Sequence, residues 1–168
     1  MRILAVCAGN ICRSPAAEAA IREAAEVEGL DVEVDSAGTG SWHVGEPPHP
    51  QSVAAGAGAG LHIDGRARRF TVADYERFDI IVVMDRTNLR DVLGVAPSLE
   101  AKAKVRLFRT YDPTSEEDEV PDPWGGPDEG YEQVMEMVRA AAAGLISSLS
   151  SALATDVGDG QGASVRST

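Results

Sequence analysis

The strongest constraint on the fold lies at the N-terminus, where a short apolar run leads through a cysteine-containing loop into a helical pattern. Residues 1–6 are predominantly apolar, which is typical of a short strand buried on both faces of a sheet. From Ser14 onward the pattern is helical, with Ser14 as a candidate N-cap, Pro15 suited to the first turn and Gly29 as a stop. The sequence therefore predicts a strand, a loop over residues 7–14, and a helix.

The residue types in this loop predict an anion site with a nucleophile in it. Backbone N–H groups in such a loop and in the first helical turn point at one spot, which suits an anion. These amide dipoles and the nearby Arg13 favour the reactive thiolate of Cys7. The guanidinium of Arg13 can also bind two phosphate oxygens at once. Gly9 and Asn10 tolerate the positive φ of a tight cradle, so attack and anion binding can occur in one turn.

Other interpretations of the loop are a metal site and a purely structural turn. Cys7 and Cys12 cannot complete a tetrahedral zinc site, because the sequence has no second cysteine pair. A nucleotide-binding P-loop is also excluded, because the Gly-Lys-Ser/Thr ending is absent. A structural turn with two buried thiols remains possible, but several independent features coincide here and favour a site.

The remaining apolar runs predict a single α/β domain. Residues 32–34 complete a strand-helix-strand unit, and such units wind right-handed into parallel sheets. Residues 80–84 and 105–108 are further strand candidates. We therefore expect a four-stranded parallel sheet with helices on both faces. The cysteine loop should lie at the carboxyl ends of the strands, where open α/β sheets bind ligands.

Two carboxylates are expected near that edge. Asp85 directly follows the strand at residues 80–84. Asp122 lies within a long loop over residues 109–130, where the rigid Pro121-Asp122-Pro123 unit and the adjacent Trp124 make it the best candidate for a general acid. The acidic run at residues 116–119 in the same loop is expected to be solvated.

The C-terminal third predicts one long helix followed by a tail. An amphipathic pattern over residues 131–153 ends the predicted domain, which spans residues 1–153. Residues 154–168 are rich in Gly and Ser in their last part and are expected to form a flexible C-terminal tail.

Length and charge limit the function classes. The chain has 168 residues, consistent with one domain, and its formal net charge of −12 argues against nucleic acid or an anionic membrane as a partner. No stretch looks suited to span a bilayer, and the N-terminal apolar run is too short for a signal peptide. With only two cysteines, a reducing cytoplasm is the expected location.

The combined motifs resemble the low-molecular-weight protein tyrosine phosphatase family over roughly residues 1–153. The signature is the loop Val6-Cys7-Ala8-Gly9-Asn10-Ile11-Cys12-Arg13-Ser14-Pro15 at the N-terminus. The order of nucleophile first and acid near the C-terminus is also typical of that family. Further matches are Ser36-Ala37-Gly38-Thr39, Trp42, Met84-Asp85 with Asn88, and Asp122-Pro123-Trp124. The resemblance implies a sheet of order 2-1-3-4.

The resemblance also implies the role of each site residue. Cys7 would be the nucleophile of a phosphocysteine intermediate, and Asp122 would be the general acid and then the general base. Arg13 would bind phosphate together with the loop residues Ala8, Gly9, Asn10, Ile11 and Cys12. Loop support would come from Asn10, Ser14, Ser36 and Asp85, and the pocket walls from Trp42 and Trp124. Cys12 would form a reversible disulfide with Cys7 under peroxide. No metal or cofactor is implied.

The implied activity is hydrolysis of phosphotyrosine in a protein substrate, by an enzyme expected to be a monomer. A protein-arginine phosphatase of the same family is the first alternative, although those enzymes carry a threonine at the position of Ile11. A thiol-based arsenate reductase is disfavoured, because such enzymes use additional cysteines beyond the loop. The chain departs from the family pattern at Gly65, where a histidine that supports Asn10 is often found.

Overall fold

The computed structural model describes residues 1–159, which form one α/β domain around a four-stranded sheet. The elements are β1 (Arg2–Cys7), α1 (Arg13–Glu28), β2 (Glu33–Gly38), α2 (Pro50–Gly58), α3 (Asp74–Arg77), β3 (Ile80–Val83), α4 (Arg86–Gly94), α5 (Leu99–Ala103), β4 (Val105–Leu107), a 3₁₀ helix (Phe108–Tyr111) and α6 (Asp128–Asp159). The strands are all parallel and lie in the order β2-β1-β3-β4. This confirms the predicted fold class and strand order.

The central strand β1 explains why the N-terminal run is apolar throughout. Its side chains alternate between two hydrophobic cores, one on each face of the sheet. Ile3 and Ala5 pack into the core that contains buried residues of α1 and α6. Leu4 and Val6 pack into the opposite core, together with residues such as Tyr75. Helices therefore cover both faces, as predicted.

The carboxyl ends of the central strands bring the site residues to one edge. Cys7 is paired in register with Gly38 of β2, and Val6 is paired with Val83 of β3. The loop after β1 therefore lies between the end of β2 and Asp85, which follows β3 and Met84. Asp85 is the N-cap of α4 and accepts a hydrogen bond from the amide of Asn88 at 2.8 Å.

Two local predictions near the loop were wrong. Helix α1 begins at Arg13 with Cys12 as its N-cap, so Ser14 lies within the first turn rather than capping it. The hydroxyl of Ser14 is instead engaged with the loop, as described below. Strand β2 is also longer than predicted and reaches Gly38, because β1 supplies a hydrogen-bonding neighbour along its whole length.

Helix α6 differs from the predicted C-terminal helix in length. It continues through residues 154–159, where we placed the start of a flexible tail, because Ala and Leu near residue 153 favour helix even without burial. The rest of that predicted tail, residues 160–168, lies outside the described residues.

By length and composition alone, α6 could cross a membrane, contrary to our prediction that no stretch could. A core helix of a globular domain passes the same test, and Val134, Val138 and Leu145 are fully or almost fully buried on the face of α6 that packs into the core. The absence of a membrane partner therefore stays a prediction.

Close packing of α6 on the 3₁₀ helix generates a first testable prediction. A Cβ at Gly144 would overlap the backbone carbonyl of Tyr111, which cannot rotate away. We expect Gly144→Ala to lower the free energy of unfolding by about 2–4 kcal/mol, measured by urea denaturation.

The matched control is Gly94→Ala at the end of α4, where nothing lies within 4 Å of the added Cβ. This change should leave stability unaltered or raise it by up to about 1 kcal/mol, since alanine is the better helix former. Equal effects of the two substitutions would contradict the close approach at Gly144.

Candidate active site

Cys7 lies at the carboxyl end of β1, buried at the base of the loop. Its Sγ is 3.0 Å from the hydroxyl oxygen of Ser14 and accepts a hydrogen bond from the backbone amide of Asn10 at 3.3 Å. Because the side-chain amide of Asn10 donates to that same Ser14 oxygen at 2.8 Å, the serine proton can go to the sulfur or to the carbonyl of Ala37, which is 3.4 Å away. When the hydroxyl of Ser14 turns toward Cys7, the sulfur has two donors, this hydroxyl and the Asn10 amide.

Asn10 fixes the conformation of the loop. Its backbone has a φ of 57°, the one positive φ of a non-glycine residue among residues 1–159. Its side-chain amide donates to both Ser14 and Ser36, at 2.8 and 3.0 Å, and its carbonyl accepts from the backbone amide of Arg68 at 2.9 Å. Gly65 has no side chain that could reach Asn10, so the main chain at Arg68 provides this support instead.

A partly buried carboxylate, Glu18, extends this network. Ser36 donates its hydroxyl proton to Glu18 at 2.9 Å, which leaves the serine oxygen free to accept from Asn10. Glu18 also accepts from Arg22 at 2.8 Å, one turn further along α1. Burial raises the pKa of Glu18, although the bonds from Ser36 and Arg22 oppose that shift. Neither Glu18 nor Arg22 was among the predicted site residues.

Arg13 is buried and held on two sides. Its Nη1 donates to Asp85 Oδ2 at 2.6 Å and to the backbone carbonyl of Val120 at 3.0 Å. Burial alone would lower the pKa of Arg13, but the nearby Cys7 and the carboxylates of Asp85 and Asp122 raise it above its ordinary value. The guanidinium is therefore a fixed, permanent cation beside the Cys7 sulfur.

Asp122 lies across the site on the irregular segment 112–127, which we call the acid loop. Its Oδ1 accepts a hydrogen bond from the amide of Trp124 at 3.1 Å, and its Oδ2 is 3.8 Å from Arg13 Nη2. Its side chain is 53% exposed, so it remains open to a ligand. The acid loop is anchored to the sheet by a hydrogen bond from the amide of Val120 to the carbonyl of Met84 at 2.7 Å.

A cavity of about 180 Å³ joins these groups. Its walls are formed by Cys7, Ala8, Gly9, Ile11, Cys12, Arg13, Trp42, His43, Asp122 and Trp124. Trp42 and Trp124 are 72% and 61% exposed, so a planar group entering the cavity would bury aromatic surface at its mouth. The structure thus brings the predicted nucleophile, acid and pocket residues to one cavity, together with all the predicted phosphate-binding residues except Asn10. Asn10 is buried and its side chain bonds to Ser14 and Ser36 instead.

Sequence reasoning did not assign His43 to the site, although it lines the cavity. Its ring lies against Gly9, where an added Cβ would come within 3.0 Å of the imidazole. Its Nδ1 is 2.8 Å from Glu46 Oε2, so the carboxylate orients the ring. The signal in the sequence that could have identified His43 is its position directly after Trp42, a predicted pocket residue.

Cys12 occupies the wall beside Cys7, and both are free thiols. Its neighbourhood is apolar: Ile11, Ala67 and the fully buried Tyr131 form one cluster with it. Burial, and after it the nearby Cys7, raises the pKa of Cys12 to about 12. The protective disulfide with Cys7 stays a prediction.

No group of three or more His, Cys, Asp or Glu side chains that could hold a metal ion occurs within residues 1–159. The metal-free chemistry implied by the sequence stays a prediction as well.

The raised pKa of Cys12 predicts a slow reaction with alkylating agents. In a Cys7→Ser variant the remaining thiol should react with iodoacetamide far more slowly than an unfolded control at about pH 7.5, because burial persists and keeps it protonated. The reciprocal Cys12→Ser variant gives the labelling rate of Cys7 in the same assay. Mass spectrometry measures the labelling in both variants. Rapid labelling of Cys12 in the folded Cys7→Ser variant would contradict this.

Comparison with known proteins identifies relatives over most of the chain. A family model described as low molecular weight phosphotyrosine protein phosphatase matches residues 2–155. A Streptomyces coelicolor protein named low molecular weight protein-tyrosine-phosphatase is 45% identical over 152 residues, which cover 88% of this chain and 93% of that protein.

Solved structures match equally broadly. A protein tyrosine phosphatase from Entamoeba histolytica, with Hepes in its active site, superposes with a TM-score of 0.88 at 34% identity, covering 91% of this chain and 99% of that one. YwlE arginine phosphatase from Bacillus subtilis, as a mutant with a phosphorylated active-site serine, gives a TM-score of 0.79 at 30% identity, covering 89% of this chain and 95% of that one.

Proposed function

Because this chain belongs to the low molecular weight phosphotyrosine protein phosphatase family, we propose that it hydrolyses phosphotyrosine in proteins through a phosphocysteine intermediate on Cys7. The observation that carries the proposal is the placement of Cys7, Arg13 and Asp122 on the walls of one cavity. A nucleophile, a cation for the phosphoryl oxygens and a candidate proton donor then face the same small volume.

In the first half-reaction the Cys7 thiolate attacks phosphorus. The S–P bond forms as the bond from phosphorus to the phenolic oxygen breaks, and Asp122 gives its proton to that oxygen so that a neutral phenol leaves. Arg13 and the amides of the loop stabilise the charge on the three remaining phosphoryl oxygens. The fixed position of Arg13 supports this role, since no reorganisation is required during the reaction.

In the second half-reaction Asp122, now a carboxylate, takes a proton from water as the water oxygen attacks phosphorus. The S–P bond breaks, inorganic phosphate leaves, and the Cys7 thiolate is regenerated with Asp122 protonated again. The phosphorylated active-site serine of the YwlE mutant supports a covalent phosphoenzyme in proteins of this fold.

Aryl phosphate is the favoured substrate because of the cavity mouth. The exposed indoles of Trp42 and Trp124 can contact both faces or edges of a phenol ring, which a shorter phosphoserine side chain would reach less well. Ile11 forms part of the wall and supplies no hydroxyl, which supports an aryl group over a guanidinium.

We also propose that the enzyme acts in the cytoplasm as a monomer, without nucleic acid or membrane partners. Its net charge of −12 and its two free thiols support this assignment.

The decisive experiment is kinetics on matched phosphotyrosine, phosphoarginine and phosphoserine peptides. We expect the highest kcat/KM on phosphotyrosine and no turnover of any peptide by Cys7→Ser. A preference for phosphoarginine would replace the proposed substrate by the alternative one. Turnover that survives Cys7→Ser would overturn the covalent mechanism.

The acid role of Asp122 predicts a dependence on the leaving group. Asp122→Ala should lower kcat/KM about 100-fold or more for phenyl phosphate, whose phenolate is a poor leaving group. It should have a much smaller effect on an ester of an acidic nitrophenol, which leaves without protonation. Equal losses across a series of aryl phosphates would remove Asp122 from this role.

A further inference from the structure

The acidic run of the acid loop is only partly solvated: Glu116 and Glu117 are exposed as predicted, but Glu117, Asp118 and Glu119 pair with arginines. Arg86, the first residue of α4, pairs through Nη2 with Asp118 Oδ2 at 2.6 Å and through Nη1 with Glu119 Oε1 at 3.1 Å. The second oxygen of Glu119 accepts from the backbone amide of Arg86 at 2.9 Å. Both carboxylate oxygens of Glu119 are therefore used by one residue.

A second arginine, Arg109, pairs with the same segment. Arg109, in the 3₁₀ helix, donates from Nη1 to Glu117 Oε2 and to the backbone carbonyl of Glu119, both at 3.1 Å. We call these five residues, Arg86, Arg109, Glu117, Asp118 and Glu119, the clasp.

The clasp continues the contacts that join the acid loop to the catalytic arginine. Arg86 directly follows Asp85, the partner of Arg13, and Glu119 directly precedes Val120, whose carbonyl also accepts from Arg13. The clasp therefore lies one residue from each of the two groups that bind Arg13, at the start of α4 and in the acid loop. Asp122 follows only two residues after Val120.

The position of Asp122 depends on the segments that flank it. Its own side chain has one hydrogen bond, to the amide of Trp124 within the same turn, and its distance of 3.8 Å from Arg13 is too long for another. The buried Val120 fixes the acid loop before Asp122, and the buried Pro123 and a hydrogen bond from Gln51 to the carbonyl of Gly126, at 3.3 Å, hold it after Asp122. The paired carboxylates at residues 117–119 supply the further contacts that fix its direction.

We propose that Arg86 is a positioning residue for Asp122, acting through the clasp to hold the acid loop over the cavity. The inference rests on the proposed function, because it concerns the delivery of a proton to the leaving group. The carboxylate of Glu119 also lies at the N-terminus of α4, where the helix dipole favours it. Arg86 itself is 61% exposed, so replacing it removes little packing.

The test compares two aryl phosphates in wild type, Arg86→Ala and Arg90→Ala. Arg90 is the matched control, since it lies on the same helix and pairs only with its neighbour Asp91 within residues 1–159. We expect Arg86→Ala to lower kcat/KM on phenyl phosphate by about three- to tenfold and on dinitrophenyl phosphate by less than about twofold. Arg90→Ala should change neither, and Arg86→Lys should recover part of the loss.

A double-mutant cycle separates positioning from a general structural effect. In an Asp122→Ala background, adding Arg86→Ala should have no further effect on phenyl phosphate, because the group that it positions is gone. Salt gives a further test, because exposed ion pairs are screened. In wild type, the kcat/KM for phenyl phosphate divided by that for dinitrophenyl phosphate should fall between about 0.05 and 0.5 M salt. In Arg86→Ala the same ratio should not change with salt.

The outcomes distinguish this inference from the proposed function. Suppose that wild type and Asp122→Ala behave as expected. Equal losses of kcat/KM on both esters in Arg86→Ala, or additive losses in the double-mutant cycle, would then overturn the role of the clasp alone. A wild-type enzyme that hydrolyses neither ester would overturn the proposed function and the clasp together.

Discussion

The pairing of one buried cation, Arg13, is the interaction on which the rest of the site depends. A charge removed from water is costly unless it is paired and hydrogen-bonded. Its two partners come from different parts of the chain: Asp85 from the end of β3, and the carbonyl of Val120 from the acid loop. The requirement to satisfy this guanidinium therefore draws together helix α1, the sheet and the loop that carries Asp122.

The left-handed backbone at Asn10 is the second constraint. A residue in this conformation is strained unless its surroundings hold it there. The two serines that accept from its side chain and the backbone amide of Arg68 provide those surroundings. A backbone donor cannot titrate, so this brace keeps its strength at any pH, which a histidine at position 65 would not.

Much of this architecture could be predicted from the sequence, for identifiable physical reasons. The apolar run of β1 and the Cys7-to-Arg13 spacing are local patterns, and they predicted the sheet, the loop and its nucleophile. The start of α1 was misplaced because Ser14 resembles an N-cap in isolation, whereas its hydroxyl lies next to Cys7 in the fold. The ion pairs of the acidic run were missed for a similar reason, since its partners Arg86 and Arg109 lie in other elements. Long-range pairings such as Glu18 with Ser36 leave no signal in the order of residues.

The alternation of β1 between two cores has a consequence for sequence change. Cys7 lies on the same side of the strand as Ile3 and Ala5, and Leu4 and Val6 lie on the other. Inserting or deleting one residue within the strand would turn every strand residue that follows, or every one that precedes, to the opposite face of the sheet. The thiol would then be lost from the cavity in the same event that misplaces core side chains. A change of length within β1 would therefore disturb the core and the site together, and the position of the nucleophile along the strand is set by the core as much as by the chemistry.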